Sequence, residues 1–331
     1  MPERSTGRSL AGCIQNRVNV HVIDPPDDEG LATLHGVDPT IAVTVGPKVP
    51  SSTHVLVGAW PSDDQLPEGL QALLIPFAGL PPTTRDRAIA RGLKVYNQHH
   101  NAPLVAELVA ALVLAVAKRV VPMDRQLRRG DWSARRQVQD VRTLSGSSAL
   151  IIGFGAVGLC TARLLRGLGM QVTGIRRTGP TTVEGFEVRE PERLDESLTD
   201  AAVVVLSMPA TAETQGLFDA ERLARLQDGA ILINVARGGV IDEAALYAEL
   251  RSGRISAGLD VWYRYPKRGN PEPQLPADLP FHELDNVVLS PHRGGLTADT
   301  ERLRMEAVAV TLSALVNGEE PPHPVDLERG Y

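Results

Sequence analysis

Apolar and polar positions alternate along residues 18–24, VNVHVID, as they do on a strand with two faces, and the run stops at Pro25 and Pro26. Short apolar runs follow at 41–45, 54–60 and 71–79, then a helical pattern at 83–92 that ends on glycine, then a strand at 93–97. Residues 18–100 thus predict a small α/β unit. The next stretch, NAPLVAELVAALVLAVAKRVVP at 101–122, reads as one long helix. Asn101 or Ala102 would cap it, Pro103 suits its first turn and Pro122 would end it. It is apolar nearly all round, which predicts burial on most sides at a domain or subunit junction. From residue 148 onward strands and helices alternate: SALIIG, MQVTGIRR, EGFEVRE, AAVVVLSMP, GAILINVA, SAGLDVW and NVVLSP are the strands. Continuous apolar strands between helices predict a parallel sheet covered on both faces. The last helix is expected from near Thr297 to the cap at Asn317 and Gly318.

Composition narrows this picture. A length of 331 residues suits two domains. A net charge of −6 gives no general attraction for nucleic acid. The longest apolar run, 108–117, is too short to span a bilayer, and the polar N-terminal stretch lacks a secretion signal, so a cytoplasmic protein with no membrane partner is expected. Cys13 and Cys160 make neither a disulfide framework nor a metal cluster, and are expected as free thiols. His99 and His100 have no further ligand at metal spacing, so no metal is expected.

IIGFGAVG at 151–158 carries Gly153, Gly155 and Gly158 in the G-x-G-x-x-G spacing. It follows a strand and opens a helix, which is the context a dinucleotide site requires. Gly153 permits the tight turn, Gly155 lets backbone approach a pyrophosphate, and Gly158 lets helix and strand close up. Phe154, Ala156 and Val157 complete the turn. The residue after the second strand reads the adenosine ribose, and an acid there would select NAD. Here stand Arg176, Arg177 and Thr178, a set that suits a 2′-phosphate, so NADP is the preferred cofactor over NAD.

INVARGGVIDEAAL places Arg237 just beyond a parallel strand, and VVLSPHRGG does the same for His292. Ligands of open α/β sheets bind at that carboxyl edge. Arginine offers a planar fork for a carboxylate, and histidine exchanges protons near neutrality.

Together NAPLVAE, GDW, GFGAVG, MPATAETQGLF, NVARGGVIDEAAL, AGLDVW and SPHRGG, in this order and spacing, resemble the D-2-hydroxyacid dehydrogenase family over roughly residues 50–318. The resemblance implies two Rossmann-like domains with doubly wound parallel sheets, the cofactor domain inserted into the substrate domain. The substrate domain would be 1–102 plus 291–331 and the dinucleotide-binding domain 103–290. It implies an oxidoreductase that passes a hydride between a nicotinamide and a 2-oxo or 2-hydroxy acid, and a homodimer. Arg237 would bind carboxylate and carbonyl, and His292 would be the acid/base. Asp260 would lie beside the nicotinamide, with Met208, Pro209, Thr214, Val235 and Ala236 lining the cofactor. The backbone of Phe77, Ala78 and Gly79 would hold the substrate carboxylate, and Asn97, His99, His100 and Trp132 are weaker wall candidates.

One position departs from the family. Where it places a Glu five residues after the Asp, this chain has Tyr265. The usual Glu pairs with the histidine and raises its pKa, whereas Tyr is neutral at pH 7. Tyr265 as orienter, a carboxylate such as Glu272 or Glu283 reaching His292, a reaction needing little proton relay, and a degenerate site all stay open. Arg264, Lys267 and Arg268 flank this turn and suit a substrate with a second anionic group: phosphate, phosphonate or carboxylate. A formate-, phosphite- or phosphonate-alcohol-type dehydrogenase on the same scaffold, and a non-catalytic dinucleotide-sensing corepressor, are the alternatives.

Overall fold

The computed structural model describes residues 17–59, 66–136, 138, 141–267 and 272–329. Cys13, Trp60 and Arg268 lie outside the described residues. Two compact units result, one from residues 1–101 and 296–331, the other from 102–295.

The first unit runs β1 (Val18–Val22), α1 (Asp28–His35), β2 (Ile41–Val45), β3 (Val55–Val57), β4 (Ala72–Ile75), α2 (Pro82–Arg91) and β5 (Lys94–Asn97). Its sheet is wholly parallel, in the order β2-β1-β3-β4-β5. The faces of β4 are all buried, which is why ALLI reads as a continuous apolar run rather than an alternating one. Asp27 caps α1 by accepting from the Gly30 amide at 2.8 Å.

The second unit opens with α3 (Ala102–Ala117) and α4 (Val120–Arg128). The sequence suggests one helix across both. The chain instead breaks at Arg119, whose φ of 52° is left-handed, and Pro122 falls in the first turn of α4 rather than ending a helix. A proline has no N–H to lose there, so the first turn accepts it. Then follow β6 (Ser148–Ile152), α5 (Ala156–Gly167), β7 (Gln171–Ile175), β8 (Thr182–Val183), β9 (Phe186–Arg189), α6 (Leu194–Leu198), β10 (Val203–Leu206), α7 (Ala220–Ala224), β11 (Ile231–Asn234), α8 (Glu243–Arg251), β12 (Ser256–Leu259) and β13 (Val287–Leu289). The sheet order is β13-β12-β11-β10-β6-β7-β9-β8. Every pair is parallel except the short edge hairpin β8–β9, which the continuous-strand pattern did not separate. An apolar cluster covers each face: Leu206, Leu232 and Leu259 belong to one, Ile151, Val205 and Ile233 to the other.

After Gly295 the chain returns to the first unit through α9 (Thr300–Asn317), capped by left-handed Gly318. The helix starts three residues later than its pattern suggests, because the Thr297 amide donates to Thr300 Oγ1 at 2.7 Å and forms a turn there. The tail then runs beside β5, with Val325 N–H donating to Val95 O at 2.9 Å. No helix among the described residues is long and apolar enough to cross a membrane.

Candidate active site

Strand order reverses at β6, which has β10 on one side and β7 on the other. A crevice opens at such a switch point beyond the carboxyl ends of the strands. The turn from β6 to α5 is built for close approach. Gly153 sits at φ 95°, and a Cβ there would strike the backbone of Ser207 and Met208 at the end of β10. A Cβ on Gly158 would strike the Gly153 carbonyl. Gly155 is the N-cap of α5 without a side-chain cap, and a Cβ on it would meet nothing within 4 Å. Two glycines are thus demanded by packing, while the third keeps open the space before the free amides of a helix N-terminus. That is the shape and polarity a pyrophosphate needs. Ala156 and Val157 form the first turn, and Phe154 contributes only backbone, since its ring is buried against Gly174 and Phe186.

Arg176 and Arg177 follow β7. The Arg177 guanidinium pairs with Glu213 at 2.5 Å, and Arg176 packs over Gly179. Glu213 belongs to the loop after β10 that also carries Met208, Pro209 and Thr214. Thr214 fixes that loop by donating to Pro209 O at 2.8 Å and accepting from the Thr211 amide at 2.8 Å.

At the end of β11, Asn234 shapes the turn: its Oδ1 accepts from the Ala236 amide at 3.0 Å and its Nδ2 donates to Arg237 O at 3.1 Å. Val235 is half-buried and Ala236 buried, whereas Arg237 is exposed and donates from Nη1 to Ala236 O at 2.6 Å. Gly238 lies against the Trp262 carbonyl, where any side chain would clash. The turn bearing Arg237 is thereby packed onto the segment after β12.

That segment organises the loop bearing His292. Asp260 is only 3% exposed, and its carboxylate accepts three hydrogen bonds: from Ser290 Oγ at 2.5 Å, the Arg293 amide at 2.9 Å and the Gly294 amide at 3.0 Å. Trp262 donates from Nε1 to Ser290 O at 2.7 Å. Ser290 before it and Arg293 and Gly294 after it flank His292, which is exposed and held at φ 56°, a left-handed conformation that non-glycine residues seldom adopt. The Tyr265 ring lies 5.4 Å from the imidazole, tilted by 54°, but its hydroxyl accepts from the Trp262 amide at 3.1 Å. Partial burial lowers the His292 pKa from the usual 6.5. The Arg237 charge pushes it the same way, and Asp260 opposes both. Glu283 lies 3.9 Å from His282, and Arg264 is paired with Asp278.

The structure therefore brings Arg237, Asp260, Tyr265 and His292 together in the second unit. In the first unit Asn97 is buried and its Nδ2 donates to Ala78 O at 2.8 Å, which steadies the 77–79 loop. His99 stands edge-on to His323 at 4.5 Å, and burial, with His323 and His100 beside it, lowers its pKa to about 4. Burial also lowers the pKa of His100, with Arg304 adding to the effect, and its Nδ1 makes no hydrogen bond among the described residues. Trp132 is exposed. No group of three His, Cys, Asp or Glu among the described residues would hold a metal. Sequence reasoning missed Asn234 and Ser290. Both stand inside the motifs that carry Arg237 and His292, but a polar residue at a strand end gives no sign of which backbone it will fasten.

Residues 110–294 match the family model described as D-isomer specific 2-hydroxyacid dehydrogenase, NAD binding domain. The chain belongs to the D-isomer specific 2-hydroxyacid dehydrogenase family. It is 38% identical to a glyoxylate reductase of Thermococcus onnurineus over 233 residues, 67% of this chain and 66% of that protein, so the match spans slightly less than two thirds of that relative. It is 32% identical to a hydroxypyruvate reductase of Thermotoga maritima over 308 residues, 86% of this chain and 94% of that one. Among solved structures, a D-isomer specific 2-hydroxyacid dehydrogenase of Xanthobacter autotrophicus Py2 in complex with NADPH and MES superposes with a TM-score of 0.76 at 28% identity, covering 96% of this chain and 100% of that one.

Proposed function

We propose that this family member is an NADP(H)-preferring reductase of small 2-oxo acids such as glyoxylate or hydroxypyruvate. The observation that carries this reading is the pairing of a fork-shaped cation, Arg237, with a proton-exchanging imidazole, His292, each fixed by its own hydrogen-bonded turn at the carboxyl edge of one sheet. Arg237 binds the 2-oxo acid and polarises its carbonyl. His292 gives its proton to the carbonyl oxygen in reduction and takes it back in the reverse direction. A bound nicotinamide supplies the hydride that completes the reaction at C2. We assign dinucleotide binding to residues 103–290, through the 153–158 turn and the residues after β7, β10 and β11. The substrate domain is assigned to residues 1–102 and 291–331. Arg264 is paired with Asp278 in an exposed, weak ion pair, which a second anionic group on a substrate would have to displace.

The 2′-phosphate is assigned to Arg176 and Arg177, and the NADPH in the Xanthobacter relative supports this. Steady-state assays with glyoxylate and hydroxypyruvate should give a higher kcat/KM with NADPH than with NADH. Arg177→Ala should lower that ratio about tenfold, the worth of one charge-assisted contact of about 1.5 kcal/mol. No turnover of either acid with either cofactor would overturn the reading, and a strong NADH preference would overturn the cofactor assignment.

We also infer a homodimer. Helix α4 has nine residues and none of them is buried, yet so short a helix is marginal in water without packing. Val120 and Leu127 are 52% and 51% exposed on it, and a second copy of this chain would cover them. Light scattering should give twice the 35.6 kDa chain mass, and Leu127→Glu should shift it toward the monomer. A monomer in the unsubstituted protein would end this assignment.

A further inference from the structure

We infer that Tyr265 is a positioning residue that holds the His292 loop through its ring and through the backbone of Trp262, and that the negative charge facing the imidazole belongs to Asp260. The inference rests on the reading of His292 as the proton-transfer group. The phenol hydroxyl is already engaged as acceptor to the Trp262 amide at 3.1 Å, and the side that faces His292 is the ring, 5.4 Å away. Trp262 in turn donates from its indole to Ser290 O. Tyr265 therefore bears on both ends of the same device: its ring braces the imidazole directly, and its hydroxyl pins the residue whose indole grips the loop two positions before His292.

The charge must come from elsewhere, since a neutral phenol has none to give. Among the described residues, the groups that act on the imidazole are Arg237 beyond β11, Asp260 beyond β12 and the Tyr265 ring in the following turn, with Arg293 next in the chain. Of these, Asp260 carries the negative charge. It sits beneath the loop, its hydrogen bonds go to residues 290, 293 and 294, and it acts on His292 through space. Ion pairing across a direct contact is thus replaced by a buried charge that works through space and a ring that works by contact. Through-space attraction from a carboxylate already sharing three hydrogen bonds is weaker than a direct pair, and here burial, with Arg237 beside it, outweighs that attraction and holds the imidazole below its usual value.

The test is the titration of the His292 ring in the full-length chain labelled at histidine Cε1, with His292→Gln identifying the signal. Tyr265→Phe should leave the His292 pKa within about 0.2 of the parent, because neither form has a charge, while kcat falls about fivefold through loss of the Trp262 anchor. Asp260→Asn should lower the His292 pKa further, by about one unit. Tyr265→Glu should raise it, as a carboxylate placed against the ring must. A displaced pKa in Tyr265→Phe would show that the hydroxyl addresses the imidazole and would overturn the inference. So would an unmoved pKa in Asp260→Asn, or one unmoved in Tyr265→Glu. Should Asp260→Asn fail to fold, Tyr265→Phe and Tyr265→Glu decide alone, since both leave the Asp260 anchors intact. The ring titration needs no turnover. An inactive chain with these titrations would sink the reading of function and leave the positioning role standing.

Discussion

His292→Gln is expected to lower kcat/KM for glyoxylate reduction about 10²- to 10⁴-fold, the usual worth of a positioned acid/base group. Glutamine fills similar space and can still donate a hydrogen bond to a carbonyl oxygen, but it has no proton to transfer at neutral pH. The loss should therefore appear in kcat with little change in KM. The pH profile supplies a second readout. Reduction requires the protonated imidazole, and burial, aided by Arg237, puts its pKa below the usual 6.5. The kcat/KM for reduction should accordingly be greatest at low pH and fall as pH rises through that depressed value, so that only a minority of the free enzyme is competent at pH 7. This limb should vanish in His292→Gln. A variant that keeps full activity, or an unaltered limb, would show that another group carries the proton.

Asp260→Ala carries the largest expected cost in stability. It strands the Ser290 hydroxyl and the Arg293 and Gly294 amides, all of which donate to that carboxylate, and Asp260 is almost fully buried. Each stranded buried donor costs about 1–3 kcal/mol. Serine can turn its hydroxyl elsewhere and the loop can partly reach water, so about 3 kcal/mol is the expected total. A lower urea midpoint with an unchanged slope would register it. Activity should fall as well, because His292 occupies a left-handed conformation that persists only while its surroundings impose it. A midpoint equal to the parent's would mean that the loop holds itself without the carboxylate.

The glycine turn was legible in sequence because its demands are local. A left-handed φ at Gly153 and a helix opening at Gly155 follow from chain geometry over six residues. Arg237 and His292 were legible for a related reason: each stands directly after an apolar run long enough only for a buried strand, and residues at that edge of a parallel sheet face ligands. The role of Asp260 was half legible. Its place after the strand could be read. Its three donors could not, since they come from a segment thirty or more positions along the chain.

Two local expectations gave way to packing or turn geometry. The apolar stretch from Ala102 continues past Lys118 in composition, yet the helix breaks at Arg119 and a second helix starts. Tyr265 as orienter of the imidazole was one of several open readings, and its hydroxyl accepts instead from an amide three residues back on its own turn.

By itself the sequence determined two α/β units, the dinucleotide turn, and the cation and imidazole at strand ends, because strand and helix periods and glycine conformations are properties of neighbouring residues. Only the tertiary structure decided what faces His292. The sheet sets β12 between β11 and β13, and this adjacency lets one carboxylate and one indole reach a loop that is distant in sequence. Which side chain meets which backbone depends on strand order and register, and no local pattern encodes these.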